Sequence, residues 1–349
     1  MRLFLPIANL FIQIIRKLLI TAPFVDNFRG KIVKLVHFFW PYHEKTVSLP
    51  PELLRVAPIC HLFESCNGIF SMDNILQSTT RPEASGFGQL PLDPNRPAIL
   101  VTNDDGYEAG GIKALVESLR GVGRIIVCAP DSPRSGFSAS FTCSRPINLM
   151  LVSDDGEVAV YCCNGTPVDC VKIALHRFFH ERKPDLILSG INHGGNDSVS
   201  VMYSGTMGAV LEGCAAGISS IGFSLLNLSP TADFTHVMPI TRSISQLVLA
   251  KPMPRGVVLN VNIPDVAEPK GIRICRQADG YWESEYHYLQ GDEKTDMSWF
   301  QVTGTYINNE PDATDTDRYW LDHDYVSVVP TTIDQTAYRH LELFDYLAK

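Results

Sequence analysis

The chain has 349 residues, 45% of them hydrophobic and 19% charged, which is room for one large domain plus appendages or two modest ones and excludes global disorder. A formal net charge of −9 excludes an electrostatic grip on a nucleic acid polymer, which rests on clustered Lys and Arg. Small phosphorylated ligands stay open, because one local cation reverses the field inside a cleft.

Nine cysteines, odd in number and without a C-x-x-C pair, read as reduced thiols and point to the cytoplasm. Residues 1–40 are apolar, but Arg16 and Lys17 interrupt the run short of the roughly 20 clean residues that a spanning helix needs. Leu10, Phe11, Ile14, Ile15, Leu18 and Leu19 fall at helical spacing among basic residues, so contact of residues 1–40 with a membrane surface is one expectation. An uninformative extension and a targeting signal are the others. Residues 71–95 are polar and rich in turn formers, a linker, so residues 1–95 are expected to lie outside the catalytic fold.

Residues 98–101, AILV, make a short apolar run between Pro97 and the turn Asn103 to Gly106, the pattern of a buried parallel strand. Helical periodicity over 111–120 and a second apolar run, RIIVCAP at 124–130, complete a βαβ unit. A helix follows over 164–179, with Thr166 as N-cap and Pro167 at its first position. PDLILSG at 184–190 is another strand ending in a glycine turn, YSGTMGAVLEGCAAG at 203–217 another helix, and 219–226 and 256–264 two further strands. Beyond residue 265 alternating patterns in GIRICRQ, WFQVTGTYINN and YVSVVPTT predict strands and hairpins, and a short helix ends the chain. The expected fold is therefore α/β with a mostly parallel sheet over 96–265, followed by a β-rich region over 266–349.

Asp104 and Asp105 lie at the carboxyl end of the first strand, where open α/β sheets bind their ligands. Adjacent anions repel and need a cation, a helix N-terminus or exposure. Three polar strand-end turns, NDDG at 103–106, PDSPRSGFSASFT at 130–142 and SGINHGGN at 189–196, are expected to meet at one sheet edge. Their oxygen ligands suit Mg²⁺, Mn²⁺ or Ca²⁺, although Asp-Asp-Gly alone is more often a solvated turn. The spacing excludes an EF-hand loop, and no G-x-G-x-x-G follows the first strand. Ser204, Gly205 and Thr206 open a helix that offers an anion its N-terminal amides, with a plain Ser N-cap as the bland alternative. His193 reads as a structural loop histidine and Asp131 as a turn cap.

Taken in order, NDDGYEAGGI, APDSPRSGFSASFT, NGTPVDCVKIAL, SGINHGGN, YSGTMGAVLEG and TDRYWLDHDYVSVVPTTID resemble the family of the stationary-phase survival protein SurE, metal-dependent nucleotidases and acid phosphatases. The similarity spans roughly 96–335. It implies a Rossmann-like three-layer sandwich with a C-terminal β-hairpin region used for homodimer or homotetramer contacts. It implies one divalent cation per subunit, Mg²⁺ or Mn²⁺, on Asp104, Asp105, Ser135 and Asn192. Nucleoside 5'- and 3'-monophosphates are the implied substrates, with phosphate near Asn196 and the Ser204 to Thr206 helix start, and Asn103 grouped with these substrate-binding residues. Asp104 and Asp105 are the catalytic candidates; spacing leaves metal-bound water and an aspartate both open as nucleophile, with Asp104 the better base or covalent candidate. The chain departs from the family where Ala109 to Ile112 replace A-P-G-I and where Asp197 to Ser200 replace a more acidic segment. Rival expectations are a metal-dependent nucleotide-binding or regulatory protein without turnover, and a membrane-surface scaffold.

Overall fold

The computed structural model describes residues 92–292 and 297–348, so the expectations for residues 1–91 lie outside the described residues. Chain order runs β1 (Ala98–Thr102), α1 (Gly110–Ser118), β2 (Arg124–Pro130), β3 (Leu149–Asp154), β4 (Val158–Cys163), α2 (Pro167–Phe178) and β5 (Leu186–His193). It continues with α3 (Gly205–Ala215), β6 (Ser220–Leu225), α4 (Met238–Ala250) and β7 (Val257–Ile263). Among the described residues these strands build a nine-stranded sheet of order β3-β4-β2-β1-β5-β6-β7-β13-β8, in which β8 is Ile272–Ile274 and β13 Val326–Thr332.

Every residue of β1 is buried, as a strand covered on both faces requires. It pairs in parallel with β2 on one side, Val101 opposite Val127, and with β5 on the other, Val101 opposite Leu188. The chain leaves β1 toward β2 and β4 and returns on the opposite side through β5, β6 and β7, so the switch point of the sheet lies at the carboxyl end of β1. Ile112 and Leu115 of α1 and Ile244 and Val248 of α4 pack on one face of the sheet. Cys170, Val171, Ala174 and Phe178 of α2, with Ala209 of α3, fill the other. The result is the expected α/β sandwich.

Local chemistry sets the helix starts. Thr166 caps α2 by accepting from the Asp169 backbone while the Asp169 carboxylate accepts from the Thr166 backbone at 2.9 Å, and Pro167 occupies the first turn. Ser204 caps α3 by accepting from the Met207 backbone at 3.0 Å.

Some elements differ from the sequence expectation. β3 and β4, an antiparallel pair flanking Asp155 and Gly156, and helix α4 were not anticipated. β5 runs past Gly190 to His193, resuming its pairing with β6 after a register shift between Ser189 and Asn192. In the C-terminal part β13 pairs antiparallel with β7 and parallel with β8, so both extend the main sheet. The rest forms two small ribbons, β10 (Tyr286–Asp292) with β11 (Met297–Val302) and β9 (Gly280–Glu283) with β12 (Thr305–Asn308). After α5 (Asp317–Asp322) and β13, the expected terminal helix is a 3₁₀ run over Tyr338–Ala348 with no buried residue. Among the described residues no helix is long and apolar enough to cross a membrane.

Candidate active site

The turn after β1 is closed by Asn103, whose amide donates to the Gly106 carbonyl at 2.9 Å and accepts from the Gly106 backbone at 3.2 Å. Asn103 is fully buried, so both ends of its amide hold the turn. That closure turns Asp104 inward, where it is only 5% exposed. The Thr206 hydroxyl donates to Asp104 Oδ1 at 2.6 Å, and the Arg134 backbone donates to the Asp104 carbonyl at 2.7 Å. Gly205 presses the start of α3 against the same side chain: a Cβ at Gly205 would stand 2.8 Å from the Asp104 Cβ and 3.0 Å from Oδ2, so only glycine lets the helix end come this close.

Burial pushes the Asp104 carboxyl up to about 6, with the Thr206 hydroxyl pulling the other way and the Asp105 charge adding to the rise. Asp105 is half-buried and burial raises its carboxyl too, against the downward pull of His193. Its Oδ2 accepts from the His193 backbone at 3.3 Å, tying the first turn to the end of β5. His193 Nδ1 faces the Ser229 carbonyl at 2.9 Å, and a carbonyl only accepts, so this nitrogen carries a proton. The ring also stands edge-on to Phe234, 4.9 Å between centroids, which fixes it as a structural histidine.

The structure thus brings Asp104, Gly205 and Thr206 into direct contact and joins Asp105 to the neighbour of Asn192. Asn192 donates its amide to the His193 carbonyl at 3.3 Å and the Gly194 carbonyl at 2.8 Å, which leaves an amide oxygen as its offer to a cation. Ser135 is exposed and reaches the site through Arg134, whose guanidinium also holds Asp131 at 3.0 Å and the Gly165 carbonyl at 3.3 Å. Asn196 sits deeper than a substrate-facing residue: its backbone donates to Asn262 at 2.7 Å, its amide donates to Ser224 at 2.8 Å, and its carbonyl accepts from Asn260 at 2.8 Å. Sequence reasoning missed Arg134, Asn260 and Asn262; the signal for the last two was the polar alternation LNVN inside an otherwise apolar strand. Thr206, expected to face substrate, engages Asp104 instead.

These donors fit a hard cation. Two carboxylates whose proton affinity is raised share one turn, and just beneath them Thr102 Oγ1 and Ser189 Oγ, paired across β1 and β5, are buried without a hydrogen-bond partner. Among the described residues no three His, Cys, Asp or Glu side chains cluster as ligands, so a cation held here would take the two carboxylates and would complete its shell with neutral oxygens.

Fold and site together define an α/β protein with two adjacent carboxylates and an oxygen-rich cluster of turns at the switch point of its sheet, beside the N-terminus of a helix. Residues 99–284 match the family model of survival protein SurE, and the chain belongs to that family. It is 50% identical over 250 residues to the 5'-nucleotidase SurE of Phocaeicola vulgatus, covering 71% of this chain and 95% of that protein. The 5'-nucleotidase SurE of Bacteroides fragilis is 44% identical over 251 residues, 72% of this chain and 97% of its own. The crystal structure of the SurE protein from Aquifex aeolicus superposes with a TM-score of 0.63 at 34% identity, covering 72% of this chain and all of that one.

Proposed function

We propose that the chain is a phosphomonoesterase that hydrolyses nucleoside 5'-monophosphates, and 3'-monophosphates beside them, to nucleoside and phosphate with one divalent cation per subunit. The observation that carries this reading is the buried Asp104 carboxylate, held by Thr206 beside Asp105 and against the start of α3. Relatives named as 5'-nucleotidases support the substrate class.

Water adds to phosphorus as the ester bond to the sugar oxygen breaks, and that oxygen leaves with a proton as the nucleoside hydroxyl. Asp104, Asp105, Ser135 and Asn192 would hold the cation, which would supply neutralisation of the phosphoryl charge. The residues of the chain do the rest. In the first turn of α3 the Met207 amide is bonded to Ser204 and the Thr206 backbone to the Asp104 carboxylate, which leaves the Gly205 amide to offer to a phosphate. Asp104 is the catalytic candidate of the pair, its carboxylate held in place by the Thr206 hydroxyl at 2.6 Å. Arg134 and the Thr166–Asp169 capping box brace the Ser135 loop, the latter through Thr166 Oγ1 donating to Ser140 O at 2.7 Å and Thr142 N donating to Asp169 at 2.9 Å.

The seven free cysteines among the described residues support a reducing, cytoplasmic compartment. The ribbon β10–β11 carries exposed Tyr288, Trp299 and Phe300, which supports assembly into a homodimer or homotetramer. A panel of nucleoside monophosphates, with and without Mg²⁺ or Mn²⁺, tests the reading. Phosphate release that needs the cation is expected. Metal-dependent binding without release under any cation instead makes the chain a nucleotide-binding protein.

A further inference from the structure

Two loops run outward side by side from Asp104. The Arg134 backbone donates to the Asp104 carbonyl, and Gly205 lies against the Asp104 side chain. A few residues further out the same two loops are pinned to each other: the Ser138 backbone donates to the Tyr203 carbonyl at 3.2 Å, and the Ser138 hydroxyl donates to the Met202 carbonyl at 2.7 Å. Ser138 holds a left-handed backbone, φ 52°, a conformation that disfavours a serine and persists here under those two bonds. The pinning brings the backbones of Phe137 and Tyr203 together, and both rings stay in solvent, 47% and 53% exposed, while the strands beneath are closed by buried apolar residues. Two exposed aromatic side chains thus sit on the two loops that leave Asp104, outside the core.

We infer that Phe137 and Tyr203 form an aromatic rim that stacks the base of a bound nucleotide, a proposal that rests on the nucleotidase reading and deepens it. A phosphate at Asp104 and the first turn of α3 leaves sugar and base to exit over this rim. Aromatic faces hold any nucleobase through its π-face and apolar area without reading its hydrogen-bonding edge. The rim therefore prefers nucleotides over base-free phosphoesters, and purines over pyrimidines by ring area, while staying tolerant among purines. Its contribution falls on KM, because the base is held alike before and during cleavage of the distant ester.

The test is the ratio of kcat/KM for AMP to kcat/KM for ribose 5-phosphate, measured with Mn²⁺ on the full chain and on Phe137→Ala, Tyr203→Ala, Phe137→Tyr and Tyr203→Phe. Because the ratio is taken within each variant, partial loss of folded protein cancels. Each alanine variant is expected to lower it about tenfold, through a higher KM for AMP, and each ring-preserving variant to stay within about twofold of the parent. A ratio unchanged in the alanine variants overturns the proposal, whether both substrates decline together or neither does. A parent chain that cleaves ribose 5-phosphate and leaves AMP intact overturns the nucleotidase reading itself, an outcome distinct from an unchanged ratio.

Discussion

The centre of the sheet and the C-terminal ribbons treat their side chains in opposite ways. Around β1 and β5 every large apolar residue is covered, and the groups that are buried at some cost are polar: Asn103, Asp104, Asn196 and Thr206. In the ribbon β10–β11 the polar groups face water and the apolar ones do too, with all six residues of β11 exposed, Trp299 at 53% and Phe300 at 58% among them. A two-stranded ribbon has no core of its own, so its aromatic side chains stay exposed. The centre instead closes its own core and concentrates unmet electrostatic demand at one point. Burial that leaves a charge uncompensated and exposure that leaves apolar area uncovered are opposite departures from a closed core.

Three variants probe that contrast. The largest effect is expected from Gly111→Ala at the centre, where a new Cβ would stand 1.9 Å from the Ile191 carbonyl and force α1 or the end of β5 to move. A loss of about 3 kcal/mol in denaturant unfolding is expected, together with impaired turnover because Asn192 is the next residue. Stability close to that of the parent would show that the centre is looser than its packing.

An intermediate effect is expected where the two regions meet. The buried Asp317 carboxylate accepts from the Ser198, Ala278 and Arg318 backbones, each at 2.8 Å, and Ser198 Oγ bonds to Tyr306 OH at 2.6 Å, tying the root of the ribbons to the loop after Asn196. Asp317→Asn turns one acceptor into a donor that faces an N–H, at a cost of about 2 kcal/mol, and should make the segment between Asp279 and Asn308 the first site of limited proteolysis. The smallest effect on the fold is expected from the double change Trp299→Ser and Phe300→Ser. Unfolding of the core should shift by less than about 0.5 kcal/mol while light scattering reports a smaller particle. An unchanged mass would place the assembly contact elsewhere.

The parts of this molecule legible in the sequence are those where one physical demand decides the residue. β1, β2, β6 and β7 are short apolar runs closed by turn formers, and Thr166 and Ser204 are caps set by local hydrogen bonding, each where its pattern places it; β5 starts as its apolar run predicts but continues past Gly190 to His193. β3 and β4 are less legible because the charged turn Asp154 to Glu157 stands between them and β3 lies at the sheet edge with its side chains largely exposed. The terminal segment carries helical spacing with nothing to pack against among the described residues, and it forms a 3₁₀ run. At the site, Asp104 and Asp105 were legible as a pair needing compensation. That Thr206 supports Asp104 was not, because a contact across 102 residues leaves no trace in local pattern. Asn103 and Asn196 show the same limit: the residue type fits a ligand, yet the Asn103 amide closes its own turn and the Asn196 amide donates to the Ser224 hydroxyl.

The central claim is that Asp104 is kept buried and ionisable for a cation at the expense of the fold. Its carboxyl, raised from 3.8 to about 6, favours the native state when protonated. The contribution is therefore fully present below about pH 4 and is lost as pH rises through 6, up to about 3 kcal/mol in the cation-free chain. The measurement that tests this most directly is the thermal midpoint of the parent and of Asp104→Asn at pH 7, first with chelator and then with Mn²⁺. The substitution is expected to raise the midpoint of the cation-free chain, since Asn keeps an acceptor for the Thr206 hydroxyl and removes the charge, and to abolish the stabilisation that Mn²⁺ gives the parent. A lower midpoint in chelator, with the Mn²⁺ stabilisation intact, would contradict the account.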